Sequence, residues 1–88
     1  MNNKRRKQIE AIQIRIGALV TEAECIRANL EEIRDAEQDY LDNMPESLSD
    51  GEKGEKAQAA IDALEQVIDY LDNLIDADFD EQLDTTAE

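Results

Sequence analysis

The chain has 88 residues, with 9 Lys or Arg against 23 Asp or Glu, so its formal net charge is −14; it has one Cys and no His. This length permits one small domain, and the lack of His excludes His-dependent nucleophiles and conventional zinc sites. The negative charge disfavours non-specific nucleic-acid binding, since phosphates would be repelled, whereas 41% hydrophobic residues argue against a disordered chain.

The N-terminal segment combines basic residues with isoleucines, as a secretory signal does, but it departs from that pattern. Glu10 and Arg15 interrupt the apolar stretch, and no small-residue cleavage site follows. The longest run of apolar or glycine residues, 16–20, is far shorter than the ~20 residues that span a bilayer. Cys25 has no disulfide partner within the chain, which favours a reducing compartment. We therefore expect a soluble, unprocessed, cytoplasmic protein that does not bind membranes.

Residues 9–44 carry apolar side chains at alternating steps of three and four, the spacing of a coiled-coil seam. Glu37 is the one strongly polar residue in it, and nearby Gly17 costs the helix about 1 kcal/mol relative to Ala. The pattern predicts a first helix over about 4–43, with an ordinary amphipathic core helix as the alternative. The seam consists of Ile9, Ile12, Ile16, Leu19, Ala23, Ile26, Leu30, Ile33, Glu37, Tyr40 and Met44.

The first helix is expected to end near Asn43, because Pro45 disfavours helical geometry at the residue before it and Asn is tolerated at helix C-caps. Residues 44–49 then form a loop. Ser49 and Glu52 match a capping box, which predicts that a second helix begins at about residue 50. Gly51 and Gly54 are expected to leave its first turn loose.

The second helix is predicted over about 50–77, so that residues 1–77 form an all-α, antiparallel, coiled-coil-like helical hairpin. Its apolar residues fill three heptad columns rather than two, which suggests burial against two neighbours. The remaining segment, 78–88, has only Phe79 and Leu83 as apolar anchors and is expected to be a flexible acidic tail. The three columns contain Ala57, Ala60, Ile61, Leu64, Val67, Ile68, Leu71, Leu74 and Ile75.

The two predicted helices differ in length, roughly 60 Å against roughly 40 Å at 1.5 Å per residue. The second helix therefore reaches back only to about Gly17, which leaves the first isoleucines uncovered. Burying one such side chain contributes about 1.5–3 kcal/mol. We expect an antiparallel homodimer that forms a four-helix bundle, the alternative being a hairpin that offers this surface to a different protein. The predicted self-association residues are Ile9, Ile12, Ile14, Ile16 and Leu19.

Charge is segregated along the chain: residues 1–16 carry +4, and residues 17–88 carry −18. In a bundle, the basic start at 4–7 could lie near the acidic end of a second helix. The alternative is a basic arm that contacts nucleic acid or anionic lipid. Such an arm would lack the interleaved aromatic residues that single-strand binding usually uses, so direct nucleic-acid binding is not expected.

The second helix repeats carboxylates every three or four residues, and no Lys or Arg occurs from 57 to 88. Like charges at this spacing destabilise a helix by a few tenths of a kcal/mol each. The row is either a solvated face or a docking face for a basic protein surface that normally binds nucleic acid, with a tyrosine as anchor. The predicted partner-binding residues are Asp62, Glu65, Asp69, Tyr70, Asp72 and Asp76, and the first helix adds Glu24, Glu31, Asp35 and Asp42.

No pattern in the sequence predicts catalysis, a cofactor or a designed metal site. Asp76, Asp78 and Asp80 resemble the start of an EF-hand loop, but the sixth position is Glu81 rather than Gly and the twelfth is Ala87 rather than Glu. Carboxylates act as general acids or bases only where a pocket shifts their pKa values, and a slender bundle offers little room for one. The sequence therefore predicts a non-enzymatic protein.

The chain resembles a loose group of small, acidic helical-hairpin proteins encoded by bacteriophages and prophages. The resemblance covers most of the chain and depends on 5–7 (RRK), on 40–48 (YLDNMPESL), and on Ala60, Ile61 and Leu64 in the second helix. It carries over no site residues, because the group is functionally uncharacterised. It implies an inhibitor of a host protein in the cytoplasm of a bacterial cell, similar in charge to phage proteins that imitate DNA. The alternative is a structural homo-oligomerisation or scaffold element whose acidic face has no target.

Overall fold

The structure is a computed structural model that describes residues 1–87, with side-chain surroundings as far as Thr86. Within these residues every regular element is a helix: α1 (Asn3–Asp42), α2 (Glu46–Ser49), α3 (Glu52–Asp76) and α4 (Phe79–Ala87). The molecule is elongated, with dimensions of 68 × 15 × 14 Å. The prediction of an all-α protein is confirmed.

Asparagine side chains cap both ends of α1. The side chain of Asn2 accepts a hydrogen bond from the backbone N–H of Arg5 at 2.9 Å, which satisfies one of the unpaired donors of the first turn. At the other end, the backbone N–H and the side-chain amide of Asn43 both donate to the carbonyl oxygen of Asp39, at 3.0 and 2.8 Å. The predicted end of the first helix near Asn43 is confirmed.

The predicted loop 44–49 is wrong in its second half, because residues 46–49 form the short helix α2. The backbone N–H groups of Leu48 and Ser49 both donate to the carbonyl oxygen of Pro45, at 2.9 Å. The hydroxyl of Ser49 donates to the carbonyl oxygen of Glu46 within the same turn. Ser49 therefore does not cap α3, whose N-cap is Gly51 without a side-chain hydrogen bond, and the predicted capping box is absent.

Gly54 is buried in the first turn of α3, where α2 packs directly against it. A Cβ atom at this position would overlap the backbone carbonyl of Ser49. The expected loose first turn is therefore wrong: the missing side chain allows two backbone segments to meet, which is a common reason for a glycine within a helix.

α3 packs along α1 through a narrow apolar line. The buried side chains of the described region are Ala23 on α1 and Ala57, Ile61 and Ile68 on α3. At one edge of this line, Arg27 Nη1 donates to Asp72 Oδ1 at 2.7 Å. These residues are 45 positions apart, so the contact shows which parts of α1 and α3 lie level.

Residues 79–87, which we expected to be part of a flexible tail, form α4 and contact α1. The side chain of Asp78 accepts a hydrogen bond from the backbone N–H of Glu81 at 3.0 Å, and carboxylates in a first turn suit the helix dipole. Phe79 and Leu83 are half-buried and line a hollow together with Ile16. The remaining residue of the predicted tail, Glu88, lies outside the described residues.

The predicted seam of α1 divides into two heptad columns with different surroundings. The column that contains Ile16, Ala23 and Leu30 is buried or half-buried toward α3 and α4. The other column is spaced by seven residues throughout, and its side chains remain 40–55% exposed. It consists of Ile12, Leu19, Ile26, Ile33 and Tyr40. α3 therefore covers one edge of the seam and leaves the other unpacked.

A pair of Gly→Ala substitutions tests this packing. A Cβ atom added at Gly17 would meet no neighbouring part of the molecule within 4 Å, so Gly17→Ala should raise the free energy of unfolding by about 0.5–1 kcal/mol through helix propensity. Gly54→Ala should lower it by about 1–3 kcal/mol, because α2 must move away from α3. Urea unfolding followed by circular dichroism measures both changes. Equal stabilisation by the two substitutions would contradict the close contact at Gly54.

Candidate functional site

The five carboxylates predicted as a docking face, Asp62, Glu65, Asp69, Asp72 and Asp76, are called the acidic strip below. Four of them are exposed, whereas Asp72 is half-buried against α1. Asp62 accepts a hydrogen bond from the side-chain amide of Gln58 at 2.9 Å. Within the described residues, none of the four exposed carboxylates forms an ion pair. The strip is therefore an exposed row of negative charge in which only Asp72, among the described residues, forms an ion pair.

Arg27 is the cation that contacts the acidic strip through Asp72. Its guanidinium lies 2.7 Å from Asp72 and 3.7 Å from Glu31, and its side chain remains 32% exposed. The hydrogen bond with Asp72 raises the pKa of Arg27 above its ordinary value, and the negative charges of Asp72, Glu31 and Glu24 act in the same direction. The arginine thus stays charged and joins α1 to α3.

Carboxylates of α1 lie beside the acidic strip. Glu24 and Glu31 are three residues before and four residues after Arg27, so helical geometry puts them on its side of α1. Asp35 lies one turn further along and contacts Arg34 at 3.2 Å. The side of the molecule that carries the Arg27–Asp72 contact therefore presents carboxylates from both helices.

Tyr70, predicted as an anchor within the acidic strip, lies away from it. The side chain is 62% exposed, as a contact residue requires. Its neighbours on the helix surface, three or four residues away, are Gln66, Val67, Asn73 and Leu74, whereas Asp69 points about 100° away. The tyrosine therefore lies on a different side of α3 from the acidic strip.

The five predicted self-association residues have different environments. Ile9 and Ile16 are half-buried, and α4 covers part of the segment that we expected to overhang. Ile14 is 75% exposed but lies outside both heptad columns. Ile12 and Leu19 belong to the exposed column described above.

The rest of that exposed column was missed as a candidate site, and so was Val67 on α3. The missed residues of α1 are Ile26, Ile33 and Tyr40, which are 40–55% exposed. Their signal in the sequence is the seven-residue spacing from Ile12 onward. The seam consists of two such columns, and a single neighbouring helix such as α3 covers only one of them.

The basic start of the chain lies on the first turns of α1. Lys4, Arg5 and Lys7 are exposed there, and α4 contacts the same half of the helix through Gln13, whose side-chain amide donates to Asp84 at 2.9 Å. Cys25 is an exposed free thiol. Among residues 1–87, no group of three or more Cys, Asp or Glu side chains is placed to hold a metal ion. None of the helices in this range is both long and apolar enough to cross a membrane.

A matched pair of substitutions tests whether the ion pair between Asp72 and Arg27 stabilises the fold, with Asp69 as the control carboxylate. Asp72→Ala and Asp69→Ala bring the same gain in helix propensity, but only the first removes the partner of Arg27. We expect Asp72→Ala to have the lower melting temperature at low salt. The difference in melting temperature between the two variants should narrow at about 1 M salt, where charges are screened. Thermal unfolding measures this. A higher melting temperature for Asp72→Ala would show that the contact does not hold α1 to α3.

Comparisons with known proteins assign no relative to the chain. No protein-family model matches it, and no curated protein or solved structure is significantly similar to it.

Proposed function

We propose that this protein is a non-enzymatic interaction module, a coiled-coil-like helical hairpin whose acidic strip binds a basic surface of another protein. The observation that supports this proposal is that Asp62, Glu65, Asp69 and Asp76 are exposed and form no ion pair within the described part of the chain. No Lys or Arg follows Lys56 in the chain. The four exposed carboxylates of the acidic strip therefore have no cation after them on their own helix.

This arrangement costs the isolated protein stability and favours a positively charged partner. Like charges three or four residues apart destabilise a helix by a few tenths of a kcal/mol each. A basic surface placed against the strip would remove this repulsion, and complementary potentials would also speed the encounter. The acidic strip thus lowers the stability of the isolated protein and favours the binding of a basic surface.

The partner class follows from the spacing of the charges. Carboxylates three or four residues apart on a helix lie about 5–6 Å from one another, which approximates the regular negative charge of a nucleic-acid backbone. A protein surface that normally binds nucleic acid would meet a similar row of charges here. Together with the resemblance to phage proteins, this supports an inhibitor that occupies such a surface on a bacterial host protein in the cytoplasm.

A second candidate function is a structural homo-oligomerisation or scaffold element whose acidic strip has no target. The observation that favours it is the exposed heptad column of α1, with side chains 40–55% exposed. The first candidate function requires the acidic strip of α3, and the second requires the exposed heptad column of α1.

Affinity capture from bacterial lysate tests the first candidate. The bait variant carries Asp62→Asn, Glu65→Gln and Asp69→Asn. The control variant carries Glu22→Gln, Glu32→Gln and Asp39→Asn, which remove the same charge from α1 away from the strip. We expect the wild type and the control, but not the bait variant, to retain a basic protein at about 50 mM salt. At about 500 mM salt the retention should fall, because screening lengths are shorter.

Competition with duplex DNA identifies the class of surface. If the captured protein uses its nucleic-acid-binding surface, added DNA should release it from the wild-type chain. Capture that is insensitive to salt, to DNA and to the three strip substitutions would contradict the proposed acidic docking face.

A further inference from the structure

One side of the molecule presents a continuous apolar face, formed by the exposed column of α1 and one column of α3. We propose that a second copy of this chain covers this face in an antiparallel dimer. This proposal goes beyond the acidic docking function, because it uses the opposite side of the helices and requires no carboxylate of α3. The face consists of Ile12, Leu19, Ile26, Ile33 and Tyr40 of α1 with Ala60, Val67 and Leu74 of α3.

The two columns lie on the same side of the helix pair. Ile26 and Arg27 are adjacent in sequence, about 100° apart, and flank the line of contact on which Ala23 lies. On α3, Leu74 and Asp72 flank the contact line in the same way. Because Arg27 contacts Asp72 on one side, Ile26 and Leu74 both emerge on the other. The pairs that lie about level are Ile26 with Leu74, Ile33 with Val67, and Tyr40 with Ala60.

The single chain leaves more large apolar side chains exposed than it buries, so it has unpacked apolar surface that a partner could cover. In the described region four apolar side chains are buried, and ten large hydrophobic side chains are exposed. The α1 column extends over roughly 40 Å at 1.5 Å per residue, along a molecule 15 Å wide. That side of the molecule thus projects to about 600 Å² over this length, against the ~800 Å² per partner of a standard interface. A second copy would supply the missing layer of a four-helix bundle.

The charge pattern is compatible with a negatively charged partner, as a second copy is. The eight residues of the apolar face include no Asp or Glu, in a chain that has 23. The adjoining positions of α3, Ala63 and Tyr70, also lack carboxylates, whereas Glu22 borders the face on α1. Two chains of charge −14 approach one another most easily on a face without carboxylates, whereas a basic partner would be attracted to the acidic strip.

The charges at the two ends of the molecule favour the antiparallel orientation. The open end, residues 1–16 with 79–87, carries a net charge of +1, and the α2 end, residues 31–66, carries −9. A parallel pair would place two strongly negative ends side by side. An antiparallel pair places each negative end against a nearly neutral end with a basic segment.

This orientation specifies the contacts between the two copies of α1. The middle residue of the exposed column, Ile26, lies at the two-fold axis and meets Ile26 of the partner subunit. Leu19 then lies opposite Ile33 of the partner subunit, and Ile12 opposite Tyr40 of the partner subunit. Such a self-complementary patch is characteristic of a two-fold symmetric interface.

Sedimentation of the full chain tests the self-association. At about 100 µM, a concentration far above the ~1 µM dissociation constant of a moderate interface, we expect a species of twice the 10.0 kDa chain mass. Ile26→Lys should raise the dissociation constant on the order of a hundredfold or more, since it places two like charges at the two-fold axis. The matched control is Ile14→Lys, at a side chain 75% exposed and off the face, which should leave the dimer unchanged. A monomeric wild type, or equal effects of the two substitutions, would overturn the proposal.

Disulfide trapping tests the orientation and does not depend on the folding of the Ile26→Lys variant. In a Cys25→Ser background, chains with Leu19→Cys are mixed with chains with Ile33→Cys and oxidised. We expect the mixed disulfide between the two variants as the main product. Disulfides only between identical variants would overturn the antiparallel arrangement, and no trapped product at all would overturn the α1–α1 contact. Neither outcome would bear on the acidic strip, so the two proposals fail separately.

Discussion

The contact between α1 and α3 determines what every other surface of this protein presents. Four apolar side chains are buried along it within the described residues, Ala23 from α1 and Ala57, Ile61 and Ile68 from α3. Since each residue turns a helix by about 100°, fixing which side chains meet on this line also fixes the direction of all the others. Ile26 and Arg27 are neighbours in sequence, yet they emerge on opposite sides of the pair.

This sorting separates two kinds of surface across a molecule only 14–15 Å thick. One side carries carboxylates from both helices, with Arg27 between them. The electrostatic field of these charges extends about 8 Å at physiological salt. The other side carries an apolar column and acts only through direct contact. A dimer formed through the apolar face would leave both acidic strips on its outside, so self-association and docking to a basic partner are physically compatible.

Local interactions within the sequence account for the elements that were predicted correctly. The end of α1 depends on Asn43 and Pro45, which act within one turn. The same kind of signal was available for α4, because Asp78 followed three residues later by Glu81 is a helix-start pattern, but the acidity of the segment suggested disorder instead. Ser49 was misassigned because its hydroxyl can bond within α2 or cap α3, and the position of Gly54 against the backbone of Ser49 decides between them.

The sequence by itself determined that the protein is helical, that α1 carries two apolar columns, and that α3 carries a row of carboxylates, because these are properties of spacing along one chain. The tertiary structure alone decided which column of α1 is covered and that Asp72 is engaged by Arg27. A heptad pattern states which residues share a side of a helix. It does not state how each helix is rotated about its axis against its neighbour, and that rotation follows from packing between residues such as Ala23 and Ile61, far apart in the chain.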